Sequence, residues 1–201
     1  MQNNNGVLLF LGVLFTSMFY LSCRPEMPVP KPRGYVRIDM PKDRNYIDFD
    51  DVAFPYSFKY SDLGNISQDT QLVTEEQSPF WLNIEYPDYN ATIYLSYKEI
   101  NQEQTFSQLL EESFKLSYKH DIKADFIHSP DFVTESGLLG IYYDVGGNAA
   151  SNSQFMVTDT LNHFLRGALY FNVTPNEDSI KPVLNYFRED LQVLIETIKF
   201  H

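Results

Sequence analysis

A single cysteine, Cys23, stands directly after an uncharged apolar run, and it limits how the rest of the chain can hold itself together. The first 22 residues carry no charged side chain, so all 15 Lys and Arg and all 27 Asp and Glu lie from Arg24 onward. Val7 to Leu21 is a run of 15 residues broken only by Gly12, Thr16 and Ser17. A membrane-crossing helix needs about 20 apolar residues, whereas a run this short matches the h-region of a signal peptide. Small Ser22 precedes Cys23 in Tyr20-Leu21-Ser22-Cys23. The pattern predicts a lipoprotein signal peptide over 1–22, cleaved between Ser22 and Cys23, with diacylglycerol joined to the Cys23 sulfur and palmitate among the anchoring chains. The n-region Met1-Gln2-Asn3-Asn4-Asn5 leaves only the α-amino charge to orient the segment, and Tyr20 stands where such signals usually carry Leu. Two other readings compete: an uncleaved anchor helix, and an ordinary signal peptide with an incidental cysteine. The place of the one cysteine favours lipidation.

With that cysteine lipidated, no disulfide can form even in an oxidising compartment. Stability then rests on a packed core, and a single globular domain is expected over 34–201. Residues 23–33 hold Pro25, Pro28, Pro30 and Pro32. This composition favours polyproline II, a tether able to hold the domain roughly 30 Å from a membrane. The net charge of −12 argues against nucleic acid as a partner, since few cations are available to displace counterions from phosphates. It also disfavours electrostatic adhesion to anionic lipid, so membrane attachment falls to the acyl chains.

Past Phe54 the periodicities separate strands from helices. Tyr56 to Tyr60 alternates, as do Trp81 to Tyr86 and Ala91 to Tyr97, the last two joined by the turn Pro87-Asp88-Tyr89-Asn90. Gly64 to Ser78 is polar without a helical period and reads as a loop. Thr105-Phe106-Ser107-Gln108 fits a capping box, and Phe106, Leu109, Leu110, Phe114 and Tyr118 follow at helical spacing. A short strand over Ala124 to His128 precedes three longer ones, Leu138 to Val145, Ser153 to Thr158 and Phe164 to Val173. Gly146-Gly147-Asn148 and Asp159 to Asn162 supply the turns between these three. A last helix is expected from Asp178-Ser179, with Pro182 in its first turn and Val183, Phe187, Leu191, Leu194, Ile195 and Ile198 as its buried stripe. Two amphipathic helices on an antiparallel sheet of about six strands make an α+β layered sandwich, because each apolar face needs a cover. The order also resembles the Mog1/PsbP-like sandwich, a fold analogy that implies no activity.

No catalytic constellation emerges. His120, His128, His163 and His201 fall in different elements without ligand spacing, and no second cysteine is available for zinc, so no metal or cofactor is expected. Glu111-Glu112 and Asp50-Asp51 read as solvated faces rather than an acid/base pair. Arg166 shares a strand face with Phe164, Ala168 and Tyr170. It is expected to pair with a carboxylate inside the fold, or to meet a partner. Asp159-Thr160-Leu161 and Asp178-Ser179-Ile180 resemble a short O-glycosylation motif of some exported proteins. A turn at Thr160 and a helix N-cap at Asp178-Ser179 are the stronger account of them.

Longer blocks carry a family resemblance. They include Pro32-Arg33-Gly34-Tyr35-Val36-Arg37-Ile38-Asp39-Met40-Pro41, Trp81-Leu82-Asn83-Ile84 and Asn90 to Tyr97. Tyr118-Lys119-His120, Lys123-Ala124-Asp125, Gly147 to Ser151 and Phe164 to Phe171 continue them. In these blocks the chain resembles the gliding motility lipoprotein GldD family from about residue 22 to the C-terminus. The resemblance implies a non-enzymatic envelope lipoprotein needed for gliding and linked to type IX secretion, without a cofactor. Its partners would be the membrane, through the lipid, and other gliding and secretion proteins of the envelope. Arg33, Tyr35, Arg37, Asn148 and Arg166 are the candidate partner contacts. Arg24 after the cysteine is not the Asp linked to inner-membrane retention, which favours the periplasmic face of the outer membrane. The alternative function is a lipid-anchored periplasmic module for a small molecule, using a pocket between sheet and helices.

Overall fold

Alternating apolar side chains, brought into register by antiparallel pairing, give this chain a sheet with two unlike faces. The computed structural model describes residues 38–75, 78–119 and 123–201, which belong to one compact unit. Strands β1 (Tyr46–Phe49), β2 (Tyr56–Ser61) and β3 (Asn65–Ser67) lead to a short helix α1 (Thr70–Glu75). The hairpin β4 (Leu82–Tyr86) and β5 (Ala91–Glu99) comes next, then helix α2 (Phe106–Tyr118). Strands β6 (Ala124–His128), β7 (Asp131–Val133), β8 (Leu139–Gly147), β9 (Ser153–Thr158) and β10 (His163–Phe171) follow. Helix α3 (Glu177–Thr197) and β11 (Lys199–Phe200) complete the order.

The larger sheet has eight strands, ordered β3-β4-β5-β10-β9-β8-β6, with β7 also on β8; β1-β2-β11 form a second sheet of three. All the pairs are antiparallel. The α+β layered architecture is as expected, with more strands than the sequence suggested. The additional ones, β1, β3, β7 and β11, are only two to four residues long, too short to show alternation. The stretch 64–78, expected to be a loop, contains β3, which pairs Ile66 with Ile84, and the helix α1. Tertiary pairing rather than local pattern supplies the hydrogen bonds there.

One face of the large sheet carries the main core. Leu82, Ile84 and Tyr86 of β4, Ile93, Leu95 and Tyr97 of β5, and Leu165 and Leu169 of β10 lie in one core with Val183, Phe187, Leu191 and Leu194 of α3. Tyr56 and Phe58 of β2 bring the small sheet into the same core. Rings bind the layers: Tyr86 meets Phe187 edge-on at 4.6 Å, and Tyr56 stacks on Tyr97 at 5.6 Å. The opposite face is covered less fully. Helix α2 contributes Leu109 to a small cluster with Met156 and Phe164.

Three local expectations shift. On α2 the buried line is Leu109, Ser113 and Ser117, while Tyr118 is 42% exposed, so the helix is turned from the stripe its aromatics suggest. On α3 the N-cap is Asn176, whose side chain accepts from Ser179 N; Ser179 is thus inside the helix, and Pro182 lies beyond the first turn. Gly146 belongs to β8, not to the turn: a Cβ there would come within 2.2 Å of the Phe126 ring. Gly147, at φ +88°, is the glycine whose backbone requires left-handed freedom.

Candidate functional site

The partly covered face holds a cleft of about 60 Å³ between α2 and strands β5 and β10, with largely apolar walls of Trp81, Leu109, Leu116 and Phe164 and a few polar groups. Ser96 and Lys98 reach it from β5, and Arg166 from β10, because residues of like parity on paired strands share a face. Glu112 and Ser113 enter from α2, and Trp81 walls one side. A second hollow of about 70 Å³ continues beyond Trp81 along β5, toward Asn83 and Tyr94.

A polar seam fastens α2 to the sheet at this point. Ser113 Oγ and Tyr143 OH are 3.3 Å apart, and Ser117 Oγ donates to Gln154 Oε1 at 3.0 Å. Arg166 Nη2 donates to the same Gln154 oxygen. Gln154 is 0% exposed, and its Nε2, like Arg166 Nε, has no hydrogen-bond partner. Lys98 Nζ holds both Glu112 oxygens at 2.9 Å. The expected carboxylate partner of Arg166 is therefore replaced by an amide. Among the described residues no carboxylate lies within ion-pair distance of Arg166, because Glu112, which faces the same cleft, is engaged by Lys98. Burial pushes the Arg166 pKa down, although a guanidinium starts so high that it keeps its charge.

The other sequence candidates are scattered. Ser22, Cys23, Arg33, Tyr35 and Arg37 lie outside the described residues, as does His120. Asn148 Oδ1 accepts from Glu177 N at 3.0 Å, while Glu177 Oε2 accepts from Gly147 N at 2.5 Å. That reciprocal clasp gives Asn148 a structural task, tying the β8–β9 connection to the start of α3. Thr160 stands in a turn with φ +66°, held by Asp159 Oδ1, which accepts from Leu161, Asn162 and His163 N–H groups at 2.9–3.0 Å. Ser179 Oγ donates to Asn176 O at 2.8 Å. His163 Nδ1 lies 2.7 Å from Tyr97 OH, and its ring stacks on Phe200 at 4.9 Å. Burial pushes Tyr97 up to about 12, so its phenol stays protonated. Glu111 pairs with Lys115 on its own helix, and Asp51 Oδ1 accepts from Ala53 N. No group of three His, Cys, Asp or Glu able to hold a metal occurs among the described residues.

A second polar cluster escaped the sequence reading. Asp190, 2% exposed on α3, accepts from Arg44 Nη1 at 2.5 Å and from Tyr46 OH at 3.0 Å. Arg44 also donates to Tyr186 O at 3.0 Å and sits 3.7 Å from the centre of the Tyr186 ring. Asp190 follows Phe187 by three residues on the buried stripe, and that spacing was the available signal.

The domain is thus an α+β sandwich with its main core under α3 and a small cleft under α2, and no described helix is long and apolar enough to cross a membrane. Residues 25–200 match the family described as gliding motility lipoprotein GldD, and the chain belongs to that family. Membership brings association with the cell envelope and a part in gliding motility. No curated protein matches the chain. Among solved structures it is similar to the solution structure of cyanobacterial PsbP (CyanoP) from Synechocystis sp. PCC 6803, at 12% identity and a TM-score of 0.47, over 78% of this chain and 92% of that chain.

Proposed function

We propose that the protein is a non-enzymatic accessory subunit of the gliding and type IX secretion machinery, held by lipid on Cys23 and acting through protein contacts. The family match over residues 25–200 carries this reading. Cleavage between Ser22 and Cys23 leaves residues 23–33 as a tether and 34–201 as the working domain, facing the periplasm from the outer membrane. Anchoring confines the domain to a surface and raises its effective concentration near envelope partners. Arg33, Tyr35 and Arg37, at the junction of tether and domain, are proposed partner contacts. Deleting the gene should abolish spreading and lower secretion of type IX cargo. A deletion strain that spreads and secretes normally would end this reading.

The alternative, a lipid-anchored small-molecule module, draws support from the Arg166 cleft and from a wider, open hollow of about 380 Å³ between α3 and strands β7 and β8, lined by Phe132, Tyr142, Arg188 and Ile195. At about 60 Å³ the cleft takes a group of a few heavy atoms, well short of the hundreds of Å³ of a metabolite pocket.

A further inference from the structure

We propose that the cleft under α2 is a carboxylate-binding site, with Arg166 as the residue that pairs with the ligand. The inference rests on the cleft's geometry and stands apart from the motility reading. A guanidinium removed from water costs free energy unless an anion or a full set of hydrogen bonds replaces its hydration. Arg166, partly buried, has no anion and an incomplete set of bonds: Nη2 reaches a neutral amide, and the buried Nε reaches nothing. The chain carries 27 acidic side chains, yet among the described residues none closes on this arginine. Glu112 faces the same cleft but is taken up by Lys98 through both oxygens.

Those two charges offset each other, so Arg166 leaves the cleft with one uncompensated positive charge. That balance suits a monoanion better than a doubly charged phosphate. A carboxylate also matches the planar fork of a guanidinium, and the space of about 60 Å³ accommodates a carboxylate with its first carbon and a water. Ser96 and Ser113 line the same space and offer hydroxyl donors, while the apolar surfaces of Trp81 and Phe164 beside them lower the local polarity and strengthen the pairing. The ligand is either a free small carboxylate or a carboxylate presented by a protein chain. Both bring the same group to Arg166.

The protein carries its own reporter, since Trp81 is the only tryptophan and borders the cleft. The full lipoprotein in detergent should be titrated with sodium acetate, and with sodium chloride at equal ionic strength. A short peptide ending in a free carboxylate, and its C-terminal amide, form the second arm. Acetate or the free-acid peptide should change Trp81 emission saturably, whereas chloride and the amide should not. Arg166→Gln should weaken binding about tenfold or more, and Glu112→Gln, which removes the competing carboxylate, should tighten it several-fold. Response to acetate alone assigns the site to a free small carboxylate; response to the peptide, lost on amidation, assigns it to a protein one. If Arg166→Gln fails to fold, Ser96→Leu serves in its place, filling the cleft while leaving the Arg166–Gln154 contact intact. Equal responses to acetate and chloride without a peptide response, or undiminished binding in the Arg166 or Ser96 variant, would overturn the proposal.

Discussion

Asp159 and Asp190 are both carboxylates gripped by neighbours, yet their surroundings act on them in opposite directions. Burial raises the Asp159 pKa, but three backbone N–H donors and His163 outweigh it and bring the group below its usual value. At Asp190 burial dominates, and its bonds to Tyr46 and Arg44 do not offset it, so the pKa is raised. Asp159 therefore contributes stability that is present above its unfolded pKa and is lost as pH falls through the folded one. For Asp190 the contribution is complete below the unfolded pKa and fades as pH rises through the folded value. Denaturant unfolding of Asp159→Asn and Asp190→Asn against the parent, between about pH 3 and 6, should give costs of opposite pH slope. The Asp159→Asn cost grows with pH, and the Asp190→Asn cost shrinks. Gly167 offers a test independent of charge: an added Cβ would lie 2.1 Å from the Phe155 ring across the strand pair. Gly167→Ala should cost about 1–3 kcal/mol in the same assay. Alternation alone put Arg166 on the face of Phe164 and Tyr170, but Gln154, its hydrogen-bond partner, arrives from another strand. Such long-range pairings leave no local trace.

At the scale of elements, motifs with their own chemistry were readable and those created by packing were not. The capping box at the start of α2 forms as the sequence implied: Thr105 N donates to Gln108 Oε1 at 2.9 Å, and Gln108 N donates to Thr105 Oγ1 at 3.4 Å. Thr105→Ala should remove about 1 kcal/mol and speed amide exchange across the first turn of α2, leaving α3 unchanged. The helix's rotation was hidden because its inner line uses Ser113 and Ser117, hydroxyls that count as polar by composition but bond inward to Tyr143 and Gln154. In the same way, β3 is a strand only because β4 offers it an edge, and β11 only because β2 does. The central hairpin and the β8–β9–β10 meander, by contrast, repeat apolar residues over five to nine positions and announced themselves.

For the whole molecule, the sequence indicated the layers but not their inequality. The face under α3 and the small sheet holds the main core, with an open hollow at its β7–β8 end, and the face under α2 holds a small cluster and the cleft lined by Arg166. The expectation for the membrane is separate from that packing. Cys23→Ala should leave the domain folded, judged by an unchanged thermal transition, and should move the protein from the membrane to the soluble fraction of broken cells. Unchanged processing and membrane attachment would refute lipidation at that residue. The Arg44 clasp, finally, has a mechanical meaning. A pull on the chain from the proposed lipid anchor would pass Arg44 before it reached the first described strand, Tyr46–Phe49. Arg44 is fastened to Asp190 and Tyr186 on the longest described helix, so such tension would enter the domain through that helix instead of unzipping β1 from β2 one pair at a time. Under that load the clasp would serve as a strain relief, like the clamp that keeps a tug on a cable from reaching its solder joint.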